Sequence, residues 1–163
     1  MATAGTIKWF ADGLRALSTT GAGGIHLANA TDVIKMGIVT GVTPTIATAV
    51  PAWGAGGSTN YATSQVTPGG NYATGGPTLA NQSWTVVAGV PTFRADDITI
   101  SQHASNFTNG RYAIFYSDTS TNKLAFAFMA LTAADADTLN GVTGDIVINF
   151  QGGANDLLTI TQS

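Results

Sequence analysis

Arg111-Tyr112-Ala113-Ile114-Phe115-Tyr116-Ser117-Asp118-Thr119-Ser120-Thr121-Asn122-Lys123-Leu124-Ala125-Phe126-Ala127-Phe128-Met129-Ala130-Leu131 reads as two strands joined by a tight polar turn. From Lys123 to Leu131 the side chains alternate in size. Leu124, Phe126 and Phe128 fall on one face and Ala125, Ala127 and Met129 on the other, the period of two that a pleated strand requires. Neither set is polar, so both faces are predicted to be buried. The Ser117–Asn122 turn is rich in Ser, Asp, Thr and Asn, whose side chains bond nearby backbone and tolerate left-handed geometry, so antiparallel pairing follows. This hairpin is predicted to be the middle of the core sheet, and it carries no candidate for chemistry.

Working outward, Asp32–Thr40 is the first clear strand, with Ile34, Met36 and Ile38 alternating with Lys35, Gly37 and Val39. Towards the amino terminus, Ile7, Phe10, Leu14 and Leu17 recur at spacings of three and four. They predict a short amphipathic helix over Thr6–Ser18, with Trp9 beside its stripe. Residues 1–20 therefore read as a helix closing one end of the domain or as an arm docking on a neighbour. Gly41–Gly70 holds Pro44, Pro51, Pro68 and the run Gly54-Ala55-Gly56-Gly57, which is loop chemistry with little periodicity. Loops beyond about 15 residues are uncommon unless they bind something. Trp53 and Tyr61 in this stretch are expected to serve a partner surface, the alternative being that both tuck back onto their own domain. The loop is expected to order on assembly, because fixing so glycine-rich a segment costs about 1–2 kcal/mol of backbone entropy per residue.

Further along, Thr78–Val87 reads as a strand that Pro91 interrupts, and Thr92–Ser101 as one or two more. After the hairpin comes a polar connection over Thr132–Thr143. Two closing strands follow: Asp145–Phe150, with Ile146, Ile148 and Phe150 inward, and Leu157–Thr161, with Leu158 and Ile160 together. Seven or eight short strands spaced near ten residues predict an all-β domain spanning residues 1–163, an antiparallel β-sandwich or jelly roll with a short N-terminal helix and one long Gly-rich loop.

The 163 residues suffice for one core. Cysteine is absent, so disulfides and thiolate metal sites are excluded. Six Lys+Arg against nine acidic residues, with no basic run, argue against a nucleic-acid partner. No apolar run approaches the length of a membrane span, and no signal peptide is read at the amino terminus. All nine acidic residues are Asp, and charged residues make up 9% of the chain against about 25% in ordinary domains. A surface of Ser, Thr, Asn, Gly and backbone is cheap to desolvate, which suits packing against other molecules.

Candidates for catalysis or metal binding are thin. His26 and His103 have no second ligand at metal-site spacing. Asp135-Ala136-Asp137 opens like a calcium loop, but Leu139 stands at the next ligand position and no Glu closes it. Gly152-Gly153-Ala154-Asn155-Asp156 is a single turn rather than a stacked repeat. Asp96 and Asp97, adjacent on a strand, would point to opposite faces. No Gly-x-Ser-x-Gly elbow occurs. The residues predict no enzyme and no cofactor, although a cell-wall or glycan-acting enzyme remains the competing class.

The ordered set Thr31-Asp32-Val33-Ile34-Lys35-Met36-Gly37-Ile38-Val39-Thr40, then Asn71-Tyr72-Ala73-Thr74-Gly75-Gly76-Pro77-Thr78-Leu79, then Arg111–Tyr116 and Leu124-Ala125-Phe126 resembles a family of small structural virion proteins of tailed bacteriophages. The resemblance implies a head decoration (cement) protein bound to the major capsid protein lattice, or else a tail or head-to-tail component. It places the chain in the virion, with the major capsid protein and other copies of itself, a trimer among the forms, as partners. In this reading Trp9, Phe10, Trp53, Tyr61 and Tyr72 are the expected interface residues.

Overall fold

The computed structural model describes residues 7–17, 23–27, 32–87, 89–132, 138–150 and 156–159. Its centre is the predicted hairpin. Strands β8 (Tyr112–Ser117) and β9 (Ala125–Ala130) pair antiparallel from Tyr112↔Ala130 to Tyr116↔Ala125. The turn between them is tied by side chains: Ser120 N donates to Ser117 Oγ and Leu124 N to Ser120 Oγ, both at 3.0 Å. The earlier strand β2 (Ile34–Val39) pairs with β8 over six consecutive positions. A short strand β1 (Lys8–Trp9) adds to the far side of β9, completing the order β1-β9-β8-β2.

Both faces of this sheet are buried, but not with the alternation that the sequence predicts. Phe115 pairs with Ala127 and Tyr116 with Ala125, so Phe126 is an extra residue, a β-bulge. Beyond a bulge the in-out pattern inverts. Phe126 accordingly packs with Met36, Phe115 and Met129 on one face, whereas Phe128 packs with Tyr112, Ile114 and Tyr116 on the other. Period-two reasoning put both phenylalanines together; one inserted residue separates them.

The amino-terminal helix is shorter than predicted. Helix α1 runs over Ala11–Leu17, and residues 8–9 are strand because the free edge of β9 offers them ladder partners. Phe10 N then donates to the Phe126 carbonyl at 3.0 Å. The face that packs inward is Phe10, Gly13 and Ala16 rather than the Leu14 side, and Leu14 is left 46% exposed. A Cβ on Gly13 would lie 2.5 Å from Phe126 Cα, so only glycine lets the helix sit directly on the bulge.

The first face is covered by the remaining strands. Strands β5 (Ser83–Val87), β6 (Val90–Arg94) and β11 (Asp156–Thr159) form a sheet in the order β11-β6-β5. Strands β7 (Ile98–Ile100) and β10 (Ile146–Ile148) form a pair. Phe93, Ile98, Ile100, Ile146, Ile148 and Phe150 from these strands and their ends share one apolar cluster with the β2, β8 and β9 side chains, and Ile146, Ile148 and Phe150 are buried as expected. The strand predicted from Thr78 begins only at Ser83, with Thr78 making a single bridge to Lys35. Pro91 does not interrupt. It lies in β6 opposite Val86, at a position whose N–H points away from β5, so its missing donor leaves the β5–β6 ladder intact. A predominantly β fold with one short helix is what these elements make.

The second face is covered by the segment expected to be a loose loop. It contains the parallel pair β3 (Pro51–Ala52) and β4 (Thr59–Asn60) and a 3-10 turn over Tyr61–Ser64. Its backbone is bonded to its surroundings: Trp53 N donates to the Lys123 carbonyl at 2.8 Å, Thr40 N to Ser64 O at 2.9 Å and Val66 N to Ile38 O at 3.0 Å. In the single chain this segment is folded back onto the sheet rather than extended as a loose loop. Burial of its aromatic side chains and this backbone bonding offset the entropy that glycine would otherwise retain. Residues 1–6 and 18–20 of the predicted N-terminal helix or arm, the Asp135/Asp137 loop and the Gly152–Asn155 turn lie outside the described residues.

Candidate interaction surface

The expected interface residues are found inside the molecule. Trp53 is 5% exposed and stacks on Tyr116 with ring centroids 5.0 Å apart and planes 8° apart. Its ring occupies the space over Gly37, where any Cβ would collide with it. Tyr61 packs on Phe10, which in turn packs on Phe128 at 4.7 Å, and both Tyr61 and Phe10 are buried. Tyr72 is buried edge-on to Phe107, and its hydroxyl accepts the Ile38 N–H at 2.7 Å. Trp9 is half-buried against Phe126. In this conformation Phe10, Trp53, Tyr61 and Tyr72 are packed within their own chain, and for Trp53 and Tyr61 this is the second of the two arrangements read from the sequence. Trp53 and Tyr61 lie among prolines and glycines without periodicity, so nothing local distinguishes a core aromatic from a displayed one.

Burial moves the tyrosine hydroxyls in one direction. Desolvation pushes Tyr72 up to about 12 from 10.0, against the hydrogen bonds from Ile38 and Gln65 that oppose the change. Tyr116 is raised too, by burial and then by the nearby negative charge of Asp118, and Tyr61 by burial. The Tyr116 hydroxyl donates to the Gly75 carbonyl at 2.9 Å, which ties the Gly75-Gly76 turn to the sheet. Tyr112, 3% exposed, has a buried hydroxyl with no partner among the described residues.

Several charged groups pair with one another. Asp118 holds Lys35 at 3.0 Å and Lys123 at 2.7 Å. Burial by itself would raise the Asp118 carboxyl; the two lysine hydrogen bonds outweigh it and hold the group below the usual carboxylate range. Asp12 pairs with Arg15 at 3.2 Å and accepts the Val50 N–H at 2.8 Å. Asp32 accepts the His26 N–H at 2.7 Å and the Ser117 hydroxyl at 3.3 Å. Asp96 and Asp97 lie in the connection between β6 and β7 rather than on a strand, and Asp96 accepts from Asn81 at 2.6 Å while Asp97 accepts from Phe150 N at 3.2 Å. His103 Nδ1 accepts from Ser105 N. Among the described residues no three His, Cys, Asp or Glu side chains converge on a metal position, and no helix is long and apolar enough to cross a membrane.

What faces outward is polar or sparsely aliphatic. Leu14 and Ile46 are 46% and 57% exposed, and Ala11 N donates to the Ile46 carbonyl at 2.9 Å, so both lie beside α1. Next to them a cavity of about 230 Å³ is lined by Asp12, Arg15, Val50, Pro51, Asn122 and Leu124, among others. The sequence marks neither feature, because the pairing of residues 42–50 with α1 is a tertiary contact. No protein family, curated protein or solved structure matches the chain.

Proposed function

We propose that this chain is a structural virion protein of a tailed bacteriophage, a head decoration protein that binds the major capsid lattice and cements it. The observation that carries the reading is the charge-poor exterior. Only 15 of 163 side chains are Asp, Lys or Arg (6 + 9), and Asp118, Lys35, Lys123, Asp12 and Arg15 are engaged with each other. Such a surface loses little hydration energy when large areas of it meet another protein. The resemblance of its ordered motifs to small virion proteins supports the same reading. So does a sheet packed on both faces, which gives a stiff block. The arrangement of β5–β7, β10 and β11 over the first face of the central sheet is in this proposal a β-sandwich.

With Trp53 and Tyr61 internal, we assign the contact with the lattice to the side of α1, where Leu14 and Ile46 lie together as exposed apolar side chains. Mass spectrometry of purified particles tests the assignment through copy number: hundreds of copies removable without losing the tail support decoration. A handful of copies that fractionate with the tail would replace it by the tail or head-to-tail reading. Ile46→Asp is expected to abolish attachment without altering the melting temperature of the isolated chain, and undiminished binding would remove α1 from the contact.

A further inference from the structure

We propose that the outer edge of β5 is a self-association site, where a second copy of this chain adds its own β5 antiparallel across a two-fold axis at Thr85. Edge strands in soluble proteins are ordinarily covered, shortened, bent or charged, because their free N–H and C=O groups template another strand. Among the described residues every other edge shows such a device. Along the outer side of β2, Met36 N donates to the Pro77 carbonyl, and the Ile38 and Ile34 carbonyls accept from Val66 N and Leu79 N. β1 has two residues and carries Lys8. β7 and β10 have three each, and β11 carries Asp156 and a register break. β5 shows none of them. Ser83-Trp84-Thr85-Val86-Val87 has no charge and no proline, and its five pairings with β6 run without irregularity. Thr85 is exposed, and Val86 at 68% is the most exposed of the large apolar residues described.

Register favours a second copy over any other strand. Antiparallel ladders alternate, and with Val87↔Val90 closing the β5–β6 turn, the backbone groups of Trp84 and Val86 are those directed away from β6. Centring a two-fold axis on Thr85 sets Trp84 opposite Val86 of the second copy, and Val86 opposite its Trp84. Each copy then exchanges backbone bonds at both positions and covers its exposed valine with the half-buried indole of the other. Aromatic and β-branched residues are favourable cross-strand neighbours, and the absence of charge removes the repulsion that an identical strand would otherwise meet.

The test needs no particle: sedimentation velocity of the purified full chain over roughly 1 µM to 1 mM. The natural sequence is expected to form dimers with rising concentration. T85K sets two ammonium groups opposite each other at the axis and is expected to weaken association at least about tenfold, with circular dichroism and melting unchanged because Thr85 is exposed. Mixing T85K with T85D is expected to restore dimers as a one-to-one heterodimer. A natural chain that stays monomeric throughout, or T85K that dimerises equally well, overturns the proposal. Neither result touches copy number on a particle, so this site and the virion reading stand or fall separately.

Discussion

On one face of the β1-β9-β8-β2 sheet, Met36, Phe115 and Phe126 meet Ile98, Ile100, Ile146 and Ile148 from regular strands. On the other, Ile114, Tyr116 and Phe128 meet Trp53, Tyr61 and Phe10, delivered by irregular backbone. The same three long strands are thus closed once by periodic aliphatic sequence and once by a proline- and glycine-rich segment carrying aromatic rings. A periodic cover announces itself in the sequence. An irregular cover can seal a sheet equally well, because a few large rings and backbone bonds to the hairpin substitute for a ladder.

The largest test of this contrast is Phe126→Ala. The residue belongs to the first face, is 1% exposed, and sits at the bulge that supports α1. Its loss is expected to cost about 3–5 kcal/mol, read by urea denaturation. An unchanged midpoint would mean that the bulge is not the centre of the core. Trp53→Ala removes the keystone of the second face at an expected cost of about 3 kcal/mol. Here the contrast sharpens: hydrogen exchange should show residues 41–66 losing protection while β8 and β9 keep theirs. Uniform loss would make the two faces a single cooperative unit.

The tyrosine hydroxyls divide the faces further. Tyr72→Phe leaves the Ile38 N–H, bonded at 2.7 Å in the native chain, without its acceptor, at an expected cost of about 1–3 kcal/mol. Because the folded Tyr72 is pushed up to about 12 from 10.0, the unfolded chain ionises first. Its contribution is present in full below about pH 10 and is lost as pH rises towards 12. Tyr116 and Tyr61 are raised likewise, so stability should fall in alkali for the natural chain and less steeply for Tyr72→Phe. Equal slopes would assign the alkaline loss to the second-face tyrosines alone. The smallest expected effect is Tyr112→Phe: its buried hydroxyl has no partner among the described residues, so removal should leave the melting temperature unchanged or slightly higher. A clear loss would reveal a bonded hydroxyl.

The hairpin was legible from residues 111–131, and β2 from residues 32–40, because alternating apolar side chains are a local record of a pleated strand buried on both sides. Ile146, Ile148 and Phe150 were legible for the same reason. Three things were not. The bulge at Phe126 leaves no mark, since an extra residue is defined only by the strand it opposes. The capture of Lys8–Trp9 by β9 overrode a helical stripe that those residues satisfy equally well, because ladder bonds outweigh weak local propensity. Trp53 and Tyr61 read as display residues in a loop, and they became core only because Gly37 leaves a recess the width of an indole and the hairpin turn offers the Lys123 carbonyl to Trp53 N–H. Sequence by itself determined the long central strands β2, β8 and β9 and that both faces of their sheet must be covered. What covers the second face was decided by contacts between residues far apart in the chain, whose energies appear only once the chain has folded.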